Sequence, residues 1–231
     1  MQFSARKTVG ALNLSVAYTY SHSIDNSSDR FDSNFVDSYN PKATRASSNF
    51  DQRHILNVSY LYNLPFFRNP GAAHVALGGW QVSGLIGFQT GTPFSVVNGT
   101  DFADAAGVAN GVGSGSFADI VGNPRSGVTR GPDVGPRLYN ADAFAAPQGL
   151  TFGDSGRNSL TLPRHTNFDM SLFKHFPIKE SLAAEFRWDL FNAFNHTQFS
   201  GIDNSLGSST FLEANAAHAA RRMQFGAKFI F

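Results

Sequence analysis

Strict alternation of apolar and polar residues in short segments is the feature that most constrains the fold of this chain. Between Leu12 and Tyr20, the even positions hold leucine, valine or tyrosine, and the odd positions hold asparagine, serine, alanine or threonine. A period of two places the apolar set on one face of an extended strand. Five further segments repeat the pattern, at about residues 56–64, 77–90, 167–176, 182–190 and 222–231. The sequence therefore predicts an all-β fold with six antiparallel strands.

The connections between these strands alternate in length. Short segments, residues 65–76 and 177–180, follow the second and fourth strands, whereas long segments follow the first, third and fifth. The longest, about residues 91–166, is rich in small polar residues, glycine and proline, and we predict no regular element in it; its 107–115 stretch is low in complexity. Short turns at one end and long loops at the other are typical of outer-membrane barrels. The sequence thus predicts an antiparallel transmembrane β-barrel segment, about six strands of a larger barrel, with long extracellular loops and short periplasmic turns.

The composition agrees with strands and narrows the possible functions. The chain of 231 residues has 23 phenylalanines and 22 glycines, and its net charge of +1 gives no electrostatic reason to expect a nucleic-acid partner. It has no cysteine for a disulfide or thiolate site, and none of its seven histidines has a zinc-binding spacing. No apolar run approaches the roughly 20 residues of a membrane-spanning helix. We therefore predict no cofactor, no metal site and no catalytic residue.

The placement of aromatic residues favours a barrel in a membrane over a soluble β-sandwich, which the period of two cannot exclude. Alternating strand directions put one set of rings near the short turns and another near the long loops, as at the two interfaces of a bilayer. The first set is Trp80, Tyr60, Tyr62, Phe176 and Phe229, and the second is Tyr18, Tyr20, Phe88, Phe168 and Phe194. The apolar face is then predicted to contact lipid.

Charged residues test this assignment of the two faces. Glu185, Arg187 and Asp189 alternate along the polar face of the fifth strand. They are predicted to face a water-filled lumen, although an exposed face of a soluble sheet explains them equally well. Lys174 falls on the apolar face near a short turn, where we expect its side chain to extend toward water.

A tetrapeptide, Gly153-Asp154-Ser155-Gly156, is similar to the nucleophile loop of chymotrypsin-type serine proteases. A catalytic serine needs a histidine base and an orienting aspartate. None of the preceding histidines, His22, His54 and His74, has a recognisable setting for that role. We therefore expect a structural role for this segment and predict that the chain is not an enzyme.

Six short motifs, in order, resemble the C-terminal barrel of Oar-like TonB-dependent receptors over about residues 50–231. They are Phe50-Asp51-Gln52-Arg53-His54, Leu77-Gly78-Gly79-Trp80-Gln81, Phe88-Gln89-Thr90-Gly91-Thr92-Pro93-Phe94, Phe152-Gly153 with Gly156-Arg157-Asn158, Asp169-Met170-Ser171-Leu172-Phe173-Lys174 and Phe191-Asn192-Ala193-Phe194-Asn195-His196. The resemblance implies an outer-membrane receptor that binds a ligand at its outer face and imports it with energy passed through TonB.

The end of the chain is similar to the signal that the barrel-assembly machinery reads in that class. Gln224, Gly226, Phe229 and Phe231 match its spacing of polar, glycine and aromatic residues. The sequence shows no signal peptide, plug domain or TonB box, so we expect residues 1–231 to be a single C-terminal barrel segment that neither closes a barrel nor transports a ligand alone. Coupling to TonB would then act only through an N-terminal plug that is missing here.

The expected partners are the bilayer of a Gram-negative-type outer membrane, the barrel-assembly machinery and an unidentified ligand. Two other interpretations stay open at this point. One is a soluble or surface β-sandwich that serves as a binding or adhesion module, and the other is a passive pore without a plug. The sandwich would stay in solution without detergent, whereas the barrel segment would not.

Overall fold

A computed structural model describes residues 1–28, 37, 39–69, 71–98, 116–128, 135–148, 151–179 and 182–231. Its main element is one seven-stranded sheet in which every neighbouring pair is antiparallel and the strands follow in chain order. The strands are β1 (Gln2–Val9), β2 (Leu12–Tyr20), β3 (His54–Asn63), β4 (Trp80–Gln89), β5 (His165–Lys179), β6 (Leu182–Phe191) and β7 (Arg222–Ile230). The prediction of an all-β antiparallel fold is confirmed.

The first strand of the sheet was not among the six that the sequence predicts. β1 pairs with β2 from Gln2↔Thr19 to Val9↔Leu12, across a tight turn at Gly10, where φ is +55°. β2 therefore has a hydrogen-bonded neighbour on both sides. The pattern was hidden because Lys7 interrupts the alternation, so the apolar face of β1 does not stand out in the sequence.

The seven strands alternate in direction between two kinds of connection. Short turns join β1 to β2, β3 to β4 and β5 to β6, while the first long loop (21–53), the second (90–164) and the third (192–221) join the remaining neighbours. The turn between β3 and β4 contains a helix, α1 (Ala72–Leu77), which the sequence did not predict. Only six residues long, α1 lies between glycines at positions 71 and 78, where no amphipathic pattern can develop.

Among the described residues, no second sheet packs on either face of this sheet. All the buried hydrophobic residues of the described chain lie in the long loops, and none lies in β1 to β7. The two edge strands, β1 and β7, are exposed along their whole lengths. A soluble sandwich would bury its apolar face against a second sheet. This sheet instead leaves large side chains of its apolar face exposed, among them Phe3, Met223, Phe225 and Phe229.

The described parts of the long loops are folded, and the prediction of no regular element in residues 91–166 is wrong. Five pairs of short strands link parts of the loops to one another. They are Ile24–Asp25 with Ala46–Ser47, Pro93–Phe94 with Leu160–Thr161, Asp119–Ile120 with Phe144–Ala145, Phe199–Ile202 with Ala214–Ala217, and the parallel pair Val97–Asn98 with Ser205–Leu206. The low-complexity stretch 107–115 lies outside the described residues. No helix in the described part of the chain is long and apolar enough to cross a membrane.

Candidate functional site

The second and third long loops share a hydrophobic core at one end of the sheet. Its buried members are Val96, Ala118, Ala143, Phe144, Leu160, Phe211 and Leu212. The Phe144 and Phe211 rings meet edge to face, with centroids 5.9 Å apart, so a side chain from each loop forms the contact. We call this packed assembly of the three long loops the loop cap.

A buried arginine attaches the first long loop to the second. The Arg157 side chain is fully buried, and its Nη1 donates to Asp25 Oδ1 at 2.7 Å and to the Thr44 carbonyl at 3.4 Å. Its Nη2 donates to Ser28 Oγ at 2.7 Å. The adjacent Asn158 donates to the Ser47 carbonyl at 2.7 Å. The Gly-Arg-Asn motif of the sequence is therefore a joint between two loops.

The Asp25 carboxyl at this joint is held in its charged form. Burial raises the pKa of Asp25, but hydrogen bonds from Ser48, Arg157 and Ser28 lower it by more, so the pKa lies below its ordinary value. A second ion pair joins the other two loops, because Arg137 Nη2 lies 3.5 Å from the Glu213 carboxylate, which is fully buried. Charged contacts thus connect all three loops.

The base of the first long loop is closed by another buried carboxylate. Asp51 accepts hydrogen bonds from His22 Nδ1 at 2.8 Å and from the Ser23 backbone N–H at 3.0 Å. Burial raises the pKa of Asp51, but the bonds from Ser23 and His22 outweigh this, so the pKa is lowered. This explains the aspartate of the motif at residues 50–54, since Asp51 holds the two ends of the loop together.

Gly91 closes the second long loop in a similar way. A Cβ at this position would lie 1.7 Å from the Leu162 carbonyl oxygen, so only glycine allows the two segments to approach this closely. The Leu162 N–H donates to the Thr92 carbonyl at 2.9 Å, and Thr90 Oγ1 accepts from the His54 N–H at 3.2 Å. The strand ends beneath the cap are therefore held in a fixed arrangement.

A cleft of about 470 Å³ opens between these strand ends and the second loop. Three arginines line it: Arg53, Arg125 and Arg164. Only one carboxylate, Asp51, is among its described lining residues, and that carboxylate already accepts bonds from His22 and Ser23. We call this the basic cleft. Side chains with hydroxyl or amide groups also line it, namely Ser47, Thr90, Asn158, Ser159 and Thr161.

A second cleft of about 490 Å³ has three aspartates among its lining residues, and two of these, Asp119 and Asp154, have structural roles. Asp154 accepts from the Ile120 N–H at 2.7 Å, and Asp119 accepts from the Asp154 N–H at 3.2 Å. The two carboxylates therefore join the segments around residues 119 and 154. In the described part of the chain, no three His, Asp or Glu side chains come together to hold a metal ion.

The protease-like tetrapeptide belongs to this same joint. A Cβ on Gly153, whose φ is +77°, would lie 2.1 Å from the Phe117 carbonyl oxygen. The Ser155 N–H donates to the Ala118 carbonyl, while the Ser155 hydroxyl is buried and has no hydrogen-bond partner among the described residues. No described histidine forms a hydrogen bond with that hydroxyl. The role of the segment is to dock one part of the loop on another.

The three predicted lumen charges lie together on the polar face of β6. Arg187 Nε is 2.8 Å from Asp189 Oδ1, and Asp189 also accepts a hydrogen bond from Ser171 on β5. Glu185 lies 3.5 Å from His175 Nδ1 and opposite Lys228 on β7. Each charge thus has an opposite charge or a polar group beside it. That these residues face a lumen stays a prediction.

The terminal residues are arranged as an alternating strand. Gln224 and Gly226 lie on the polar face of β7, opposite Asp189 and Arg187, whereas Phe229 lies on the apolar face and is exposed. Phe231 follows the end of β7 and is 98% exposed. Recognition of these residues by the assembly machinery stays a prediction.

Lys174 does not extend toward water, as the sequence had led us to expect. It is 2% exposed, and its Nζ donates to the carbonyls of Val75 and Ala76 in α1, at 2.7 and 2.8 Å. The same Nζ lies 4.5 Å from the Phe176 ring centroid and 5.3 Å from that of Trp80. The prediction was wrong because it did not include α1, whose last carbonyls replace water as partners of the ammonium.

The sequence did not identify the loop core, the Arg157 joint or the basic cleft. Arg157 and Asp25 are 132 residues apart, and no local pattern indicates that they meet. Arg53 and Arg157 stood in recognised motifs, but Arg125 and Arg164 gave no signal. Only the strand order of the sheet brings residues 53, 90 and 164 to the same end.

Comparison with known proteins agrees with this architecture. No curated protein and no solved structure matches the chain. A protein family described as the outer membrane beta barrel domain matches residues 1–224, nearly the whole chain. The antiparallel meander, its uncovered apolar face and its alternation of short turns with long loops are the features of such a barrel. The chain belongs to the outer membrane beta barrel domain family, and its place is the outer membrane.

Proposed function

We propose that this chain is part of an outer-membrane receptor that binds a ligand at its loop cap and, through a plug region and TonB, imports it. The observation that carries the proposal is the cap itself. Three long loops, which in a simple pore need only connect strands, are here joined by a shared core and by buried ion pairs. A surface held in one conformation is what a ligand-binding site requires.

The motifs that resemble TonB-dependent receptors support the same proposal. Asp51, Gly91 and Arg157 each close or join a long loop, and Asn192 does so at the start of the third loop. Asn192 has a φ of +51°, and its side-chain amide donates to the carbonyls of His196 and Ala219 at 3.0 and 3.3 Å. The resemblance therefore rests on residues that shape the cap, which is the part of a receptor that meets the ligand.

The strand count supports a role within a larger barrel. The sheet has seven strands, and β1 and β7 do not pair with each other. Bacterial single-chain barrels have at least about eight strands, because an open edge in lipid leaves backbone groups unpaired. We propose that further strands complete the wall, and that the protein transports rather than catalyses.

The test compares cells with and without the full-length protein. Metabolites that leave the culture medium are followed by mass spectrometry, with and without a protonophore that abolishes the proton motive force. TonB-dependent uptake predicts that at least one compound is depleted only when both the protein and the proton motive force are present. Depletion that needs the protein but survives the protonophore would instead establish a passive pore.

A further inference from the structure

We propose that the basic cleft binds an anionic group, a phosphate or a carboxylate, on the ligand that the cap receives. The first reason is charge. Arg53, Arg125 and Arg164 line one cleft, and all three side chains are exposed. Within the described parts of the chain, neither Arg125 nor Arg164 forms an ion pair.

The cleft has little negative charge of its own to balance these arginines. Asp51 is 4% exposed and is already held by His22, Ser23 and the Nε of Arg53, the last at 3.6 Å. Bringing three guanidinium groups together beside a single acid, which already accepts from His22 and Ser23, leaves an excess of positive charge, and an anion would be attracted to it. Guanidinium groups also match carboxylate and phosphate oxygens in a two-pronged geometry.

Close packing and hydrogen bonds hold the floor of the cleft, so the backbone from which Arg164 extends has defined contacts. Arg164 follows directly after Leu162 and Pro163, the segment that Gly91 holds against the start of the second loop. Thr161 is held by the Tyr139 hydroxyl, which donates to its carbonyl at 2.6 Å. Asn158 is held by Ser95 Oγ at 2.9 Å and by the Ser47 carbonyl. The backbone around the cleft then loses little conformational freedom when an anion binds, which favours affinity.

The size of the cleft indicates what kind of anion fits. A volume of about 470 Å³ lies in the usual range for small-molecule sites, which is about 300–1,000 Å³. Three positive charges and at least five hydroxyl or amide groups suit a ligand with several phosphates or carboxylates and further oxygens. Such a group can belong to a soluble molecule or to the phosphorylated headgroup of an outer-leaflet glycolipid.

The experiment measures binding of inorganic pyrophosphate to the purified full-length protein in detergent, by isothermal titration calorimetry. The test variant is R125Q/R164Q. The matched control is K7Q/R68Q, which loses the same two charges at exposed positions outside the cleft. We expect affinity to fall about a hundredfold in the test variant, since each charge-assisted hydrogen bond contributes about tenfold. The control should bind as the original protein does, and R125K/R164K should recover part of the affinity.

A parallel measurement distinguishes the two sources of the anion. Glycolipid that copurifies with each protein is counted by mass spectrometry. Pyrophosphate binding that depends on the two arginines, with equal glycolipid in every variant, supports a soluble ligand. Loss of copurified glycolipid from R125Q/R164Q, but not from the control variant, supports a lipid headgroup. Equal pyrophosphate binding and equal glycolipid in all variants would overturn the proposal. The proposal would also be overturned if the affinity of the wild-type protein for pyrophosphate did not fall when the salt concentration is raised, a measurement that requires no variant.

The inference rests on the proposed function only in placing the ligand at the cap. Binding in detergent needs neither TonB nor a proton motive force, so the two ideas can fail separately. If the protein supports energised uptake but binds no anion, the proposal for the basic cleft is wrong and the proposed function stands. If it binds the anion but supports no energised uptake, the proposal for the cleft stands and the proposed transport is wrong.

Discussion

Replacing Arg157 with methionine should open the loop cap while leaving the sheet intact. Methionine keeps much of the side-chain volume but loses the bonds to Asp25, Ser28 and Thr44. Removing one partner of a buried ion pair costs about 3–5 kcal/mol. The Asp25 side chain is 24% exposed, so water recovers part of that energy, and we expect a cost of about 3 kcal/mol. Because about 1.4 kcal/mol is a factor of ten, the opened cap should become roughly a hundredfold more populated.

Limited proteolysis of the purified full-length protein in detergent measures this population. When the loops close faster than the protease cuts, the cleavage rate follows the fraction that is open. The matched control is Arg125→Met, which removes an exposed arginine from the same long loop. Both variants should keep the heat-modifiable mobility of a folded barrel. Equal cleavage rates for the two variants would show that Arg157 does not hold the cap together.

Acid should weaken the same joint. The folded pKa of Asp25 lies below its ordinary value, so its carboxylate stabilises the cap above the unfolded pKa of about 3.9. That contribution is lost as the pH falls through the folded pKa. Pepsin should therefore cut the cap faster below about pH 4, relative to an unfolded control substrate at the same pH, and Asp25→Asn should already be cut at that faster relative rate at pH 5. A relative pepsin rate that does not change from pH 5 down to pH 2 would contradict this.

Three further substitutions test the wall and its joints. Val58→Arg, on the apolar face of β3, should destabilise the protein in lipid vesicles by about 2–4 kcal/mol, whereas Ser59→Arg, on the polar face, should be tolerated. Similar midpoints for the two variants in a denaturant titration would show that the assignment of the lipid and lumen faces is wrong. Gly91→Ala should prevent the heat-modifiable form on gels, while Gly87→Ala, whose Cβ has no neighbour closer than 3.8 Å, should not. Lys174→Met should expose the turn that contains α1 to added protease, because the helix loses its charged partner; an unaltered digestion pattern would argue against that contact.

The strands could be predicted because their signal is local. β2 has the predicted bounds, and β6 ends one residue beyond them, since alternation is visible within each strand. β1 was missed because one lysine breaks the same pattern, and α1 because six residues between two glycines show no helical period.

The cap could not be predicted because its contacts are distant in sequence. Phe144 packs on Phe211, and Arg157 reaches Asp25, across intervals that no motif or period spans. The motifs marked the residues that close the loops, as with Asp51 and Gly91, without indicating what they contact. Knowledge of the strand order was needed before those partners could be identified.

The contact between Lys174 and α1 has a consequence for the order of assembly. The ammonium receives its two carbonyl partners from a turn about one hundred residues earlier in the chain, within the β3–β4 hairpin. If β5 entered the hydrocarbon before that hairpin was complete, it would carry an unpartnered charge at a cost of about 3 kcal/mol. One order of insertion is therefore favoured, in which the β3–β4 hairpin and its helix form first and β5 follows. The buried lysine on the apolar face would in this way favour the addition of β5 to a wall that already contains the β3–β4 hairpin and its helix.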